Sequence, residues 1–248
     1  MRPIPTALAL AAAPLLLLAA PADACSVTAD YRQPTNLELA AEADAIVLGQ
    51  VVGAAEEGPE GVPQITVHPL AAYKGLLPGQ DFPLHMMAFA TGPLAEYAAP
   101  SEPLELEKPH PSAQAGACIR TVFAPGATVL FFLDRREGTW APAGGPFSRW
   151  AEDVAGEDAP WAQLAKFYAR VAPLPEEERK ALLEAERDAL LARTDDQVAQ
   201  AMGGDIDRQL AGPNPPLVEA PPDDGFRDPA EPSSVQRALD AMRADREE

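Results

Sequence analysis

Twenty-eight prolines in 248 residues limit this chain more than any other feature. Each proline fixes φ and removes a backbone donor, so neither a helix interior nor a central strand accepts one readily. The prolines cut the chain into short pieces and argue against a long helical bundle. The length suits one sizeable domain with extras, or two small ones.

The formal net charge is −19. Such a surface repels phosphate backbones and anionic lipid headgroups, which makes nucleic acid a poor partner. It supports solubility and weakly favours cationic partners or metal cations.

The first 24 residues read as a signal peptide. Arg2 forms the positive end, residues 7–20 are an apolar run rich in Leu and Ala, and Pro21 breaks it. Ala22, Asp23 and Ala24 then present small residues to a peptidase, so the mature chain begins at Cys25. The apolar run is shorter than the ~20 residues a membrane span needs, and no later segment approaches that length. A lipoprotein leader is the competing reading, because a cysteine follows the cut. Such leaders usually carry a bulky aliphatic residue three before the cysteine and no charge between; here that stretch is Ala22, Asp23 and Ala24. The expected location is the periplasm or the extracellular space.

Cys25 and Cys118 are the two cysteines. In an oxidising compartment an even count predicts one disulfide. On the chain-entropy model, a loop of about 94 residues would gain roughly 4–5 kcal/mol. Two separate buried thiols are the other arrangement. No C-x-x-C is present, and His68, His85 and His110 lack metal-ligand spacing.

Along the chain, Thr35 or Asn36 can cap a short helix through Ala43. Residues 45–52 form a β-branched apolar strand with Gly49 as a bulge or bend. Ile65, Val67 and Tyr73 share one face of a second strand, antiparallel to the first, with Pro69 at an edge. Residues 81–89 read as a third strand weakened by Pro83, and 91–115 as a long loop that includes His110. Strand character returns at 118–122 and at 128–133. A charged turn at 134–138 leads into a short strand at Thr139 and Trp140. Five or six short strands separated by turns suggest a small antiparallel barrel over 25–149.

A helical extension follows over 150–211. Trp161, Leu164, Phe167, Tyr168 and Val171 fall at helical spacing, and Pro173 ends that helix. A second helix starts near Pro175 with Leu182, Leu183, Leu190 and Leu191 on its apolar face, and 195–202 adds a turn or two. Residues 212–248 form a Pro- and Asp-rich disordered tail, with a marginal helix at 233–246.

Four items occur in order: Cys25; Ala43, Asp44, Ile46, Val47, Gly49 and Val51; Tyr73-Lys74-Gly75; and Cys118, Phe123, Gly126, Leu130, Phe132 and Leu133. Together they resemble the netrin-like domains related to tissue inhibitors of metalloproteinases, in their small bacterial exported branch, over about residues 25–142. The resemblance implies a five-stranded OB-type barrel with its N-terminal cysteine stapled to it by a disulfide. In the inhibitors of that family, the terminal cysteine's amino group and carbonyl chelate the target's zinc. Carried over, this assigns target binding to Cys25, with Ser26 and Val27 filling a small pocket. The inhibitors begin Cys-x-Cys and are disulfide-dense, whereas this chain has Val27 at the third position and allows one bridge.

No nucleophile elbow or phosphate-cradling loop appears, and no residue is nominated as catalytic. No cofactor is expected. The sequence therefore predicts an exported, non-enzymatic protein, mainly β with an α extension, that binds another exported protein. One alternative is a metallopeptidase inhibitor acting through Cys25. Another is a copper-binding accessory protein using His85, Met86 and Met87, whose imidazole and thioethers suit Cu(I).

Overall fold

A computed structural model describes residues 27–55, 61–75, 79–114 and 117–217. The leader, Cys25, Ser26 and the expected terminal helix at 233–246 lie outside the described residues.

The first element, α1 (Asn36–Glu42), has a reciprocal cap. The Thr35 hydroxyl accepts from the Glu38 N–H at 3.2 Å, and the Glu38 carboxylate accepts from the Thr35 N–H at 2.8 Å. This capping box satisfies two donors that the helix itself cannot. Two long strands follow, β1 (Ala45–Ala55) and β2 (Gln64–Lys74), then the short β3 (Phe82–His85) and β4 (Ala88–Phe89). The chain continues through two 3-10 turns into β5 (Val122–Phe123), β6 (Thr128–Arg136), β7 (Thr139–Pro142) and β8 (Ala151–Asp153). Three helices close it: α2 (Pro160–Val171), α3 (Glu176–Leu191) and α4 (Gln197–Ala211).

Six strands form one antiparallel sheet in the order β3-β2-β1-β6-β7, with β8 also paired to β6. Strands β4 and β5 make a separate parallel pair. The sheet is not closed by hydrogen bonds into a barrel. With four α-helices packed around it, the fold is mixed rather than mainly β. The sheet also runs past residue 149, because Ala151 pairs with Phe131.

Strands β1 and β6 are buried on both faces. Val47, Val51, Val129, Phe131 and Leu133 point into one core with Ile65, Leu84, Phe123 and Trp150. Ile46, Leu130 and Phe132 point the other way, against Leu39, Trp161, Leu164 and Tyr168. That alternation follows from the two-residue period of a strand. Gly49 sits where the β1–β2 register shifts, and a Cβ there would lie 2.5 Å from Val67 Cγ1. The bend therefore requires a residue without a side chain. Pro69 falls beyond the end of the β2–β3 pairing, where no donor is missed.

Several sequence expectations are corrected. The strand at 81–89 breaks at Met86, whose φ is +62°, and restarts as β4. The strand at 118–122 shrinks to β5, because Cys118 has φ +58°. The charged turn is only Glu137-Gly138. Both residues have positive φ, which matches the twist of a two-residue hairpin and lets β6 run on to Arg136. Leu182 is exposed, whereas Leu183 and Leu190 are buried.

Helix α4 is far longer than 195–202, and a buried carboxylate anchors it. Asp205 is fully buried. Its carboxylate accepts from Tyr168 Oη at 2.7 Å, Asn36 Nδ2 at 2.9 Å and Arg208 Nη2 at 2.8 Å. Asn36 also donates to the Leu106 carbonyl, and Gln209 accepts from the Leu37 N–H at 2.9 Å. One acidic residue thus ties α1, α2 and α4 together. Burial raises the Asp205 pKa against the lowering effect of these donors.

Among the described residues, no helix is long and apolar enough to cross a membrane.

Candidate binding cleft

An open cleft of about 1100 Å³ runs between the 100–105 segment, β8 and the 154–161 connection into α2. Its walls carry six carboxylates, from Glu102, Glu105, Glu152, Asp153, Glu157 and Asp158, and one guanidinium, from Arg149.

The floor is a buried polar network built on β8. Arg120, almost wholly buried, places Nη2 at 2.9 Å and 3.1 Å from the two oxygens of Asp153. The Ser101 N–H donates to Asp153 at 3.1 Å, and the Ser101 hydroxyl donates to Glu152 at 2.6 Å. The His110 N–H donates to the other Glu152 oxygen at 2.9 Å. Two adjacent carboxylates on a three-residue strand therefore hold both ends of the long 99–114 segment.

His110 is buried rather than an exposed loop residue. Its Nε2 donates to the Ala99 carbonyl at 2.7 Å, while Nδ1 accepts from the Ser112 N–H at 3.1 Å and from the Ser112 hydroxyl at 2.7 Å. These partners assign the Nε2–H tautomer. Burial, then the Arg120 charge, push its pKa below 6.5. The ring is neutral and structural.

Arg149 is 3 % exposed. Its guanidinium lies 4.5 Å over the Trp161 ring, which stacks on Phe132 at 5.3 Å. Nη2 donates to the Glu105 carbonyl at 2.8 Å, and Nε stands 3.7 Å from Glu152. Nε and Nη1 have no hydrogen-bond partner, nor does the indole N–H of Trp161. Leaving a buried donor unmatched costs roughly 1–3 kcal/mol. Three such atoms on two neighbouring side chains beside one cleft set this place apart.

The charges do not balance. Arg120 faces Asp153, Arg149 faces Glu152, and Lys166 pairs with Glu157 at 2.8 Å. Glu102 and Asp158 have no ion pair among the described residues. Glu105 accepts from the backbone N–H groups of Glu107 and Lys108. Burial acts to raise its pKa, but these bonds and Arg149 outweigh it, so it is held ionised.

The residues singled out from sequence are not in this cleft. Cys25 and Ser26 lie outside the described residues, and Val27 is half-buried. No free cysteine stands among the described residues. His85, Met86 and Met87 do not converge: Met87 is buried in the core and Met86 is 69 % exposed on a reversed backbone. Among the described residues, no three His, Cys, Asp or Glu side chains are grouped to hold a metal ion. His68 pairs with Asp81 at 2.6 Å on the surface. Sequence reading missed Arg120 and Arg149, although a signal existed. Each is the lone Lys, Arg, Asp or Glu in a long stretch, 109–133 and 138–151 respectively. An isolated charge in an apolar stretch points to a buried partner.

Compared with known proteins, the chain matches no family model, and the comparison with curated proteins gives no match.

Proposed function

We propose that this chain is an exported, non-enzymatic binding protein whose working surface is the acidic cleft. One observation carries the reading: a cleft of about 1100 Å³ with carboxylates in excess over a buried arginine and an indole whose donors are unmatched. Its volume lies just above the range of ligand pockets, roughly 300–1,000 Å³, and its open shape suits a segment of a larger partner. Fixed carboxylates concentrate cations without binding a metal. Two adjacent residues of one strand position the loop that forms one wall, which gives rigid support to the surface.

Export and the Cys25–Cys118 bridge belong to the same proposal. The leader pattern supports the first. The second is supported by the count of two cysteines and by the lack of a free thiol at Cys118. We also read the sheet as a partly open barrel of OB type. Its edge strands β3 and β7 approach each other through Phe82 and Trp140, with ring centroids 6.4 Å apart. The netrin-like resemblance remains part of this reading.

Two measurements test it. Intact-mass analysis of the exported protein should give a chain starting at Cys25 and two hydrogens short of the reduced mass. A photo-crosslinking residue at Ala155, on the cleft rim, should capture partner protein in the exporting cell far more than one at Leu70, exposed on β2. Equal capture at the two positions would remove the cleft as the working surface.

A further inference from the structure

We propose that the cleft takes a basic, extended peptide segment of a partner protein. Its side-chain cations would face Glu102, Glu105 and Asp158, and a backbone carbonyl would accept from Arg149 and Trp161. The proposal rests on the cleft being the partner-binding surface and adds the chemistry of the ligand.

Three observations narrow that chemistry. The first is charge: after Asp153, Glu152 and Glu157 are matched with Arg120, Arg149 and Lys166, the walls keep a surplus of three carboxylates. An anionic ligand is therefore disfavoured. The second is the unmatched donors. Arg149 Nε and Nη1 and Trp161 Nε1 make no hydrogen bond within the protein. A polyamine offers cations and no acceptor, whereas a basic peptide offers both. The third is size, since about 1100 Å³ exceeds what a single amino acid fills and suits several residues in extended form.

Arg149 and Trp161 line the cleft, but their unmatched donor atoms are covered. The carbonyl reaches them as the 101–105 segment moves aside, and that segment touches Arg149 through one bond, from Nη2 to the Glu105 carbonyl. Peptide binding should therefore speed amide exchange in 101–105 while β6 stays unchanged.

The test uses calorimetric titration of the mature full chain at low salt with three probes: the heptapeptide acetyl-Gly-Lys-Gly-Lys-Gly-Lys-Gly-amide, its counterpart with Glu for Lys, and spermidine. The lysine peptide should bind about tenfold tighter than spermidine, a difference that reflects the added acceptor contacts. The glutamate peptide should not bind. The double substitution E102Q/D158N should weaken the lysine peptide ~5-fold, as two exposed charge pairs would. Trp161→Phe keeps the ring stack; it should weaken the lysine peptide and leave spermidine unchanged. Thermal melting checks that each variant is folded. Equal affinity for peptide and spermidine would overturn the proposal, as would indifference to Trp161→Phe. If the peptide fails while crosslinks still form at position 155, the ligand chemistry is wrong and the binding surface stands. If both fail, the proposed function falls with it.

Discussion

Asp205 and the Glu152–Asp153 pair are both acidic groups withdrawn from water, in surroundings of opposite character. Around Asp205 the hydrogen bonding is complete: hydroxyl, amide and guanidinium donors from three helices meet one carboxylate. Around Glu152 and Asp153 the carboxylates are matched too, and Arg120 with them, but Arg149 and Trp161 beside them keep unmatched donors, and an open cleft adjoins them. A closed network holds helices together. A network with spare donors next to open space holds the 99–114 segment and leaves donors over for an acceptor. The difference separates a structural joint from a candidate site more clearly than burial does, since Asp205 and Glu152 are both buried.

The strongest way to break this contrast is Asp205→Leu. It strands Tyr168 Oη and Asn36 Nδ2 inside the protein and should cost about 3–5 kcal/mol in urea unfolding. A loss below ~1 kcal/mol would show that the joint is not structural. Arg149→Met should cost less, roughly 1–2 kcal/mol. It gives up one bond to the Glu105 carbonyl but also removes two unmatched donors.

The pH responses should have opposite signs. Asp205 has its folded pKa raised above 3.8, so its contribution is full below that value and is lost as pH rises through the folded pKa. The wild-type protein should therefore lose stability relative to Asp205→Asn as pH climbs from about 4. His110 has its folded pKa lowered from 6.5, so its contribution is present above 6.5 and is lost as pH falls through the lower value. Amide exchange in 99–114 should accelerate on acidification below 6.5, and His110→Asn should abolish that acceleration. Matching pH trends in both regions would erase the distinction. The smallest effect is expected for Trp161→Phe. It keeps the stack on Phe132 and removes one unmatched donor, so its stability should stay within ~0.5 kcal/mol of wild type.

How much was legible depended on whether local chemistry and tertiary role agreed. Thr35 and Glu38 announce α1 because a capping box is local. The apolar runs of β1 and β6 are readable because strands buried on both faces need continuous hydrophobicity. Helix α4 was read short because Gly203, Gly204 and Asp205 interrupt its periodicity, and tertiary contacts explain two of them. A Cβ on Gly203 would lie 2.7 Å from Leu191, and Asp205 answers two distant donors, Asn36 and Tyr168. Strand β8 was missed because Ala-Glu-Asp has no strand character, and only its pairing with β6 makes it one. The cleft was illegible for the same reason. Its carboxylates come from separate segments, and Glu105 reads as a surface residue until Arg149 is seen beneath it.

Because β1 and β6 belong to both cores, the molecule has no seam along which it could come apart in stages. Ile46 and Phe132 contact the helices from the same strands whose neighbours Val47 and Phe131 fill the opposite core. Melting either side exposes apolar groups on strands that the other side needs. Unfolding should therefore be a single cooperative event. A chain ended at residue 149 would keep most of its strands yet present a bare hydrophobic face, and it should aggregate rather than fold.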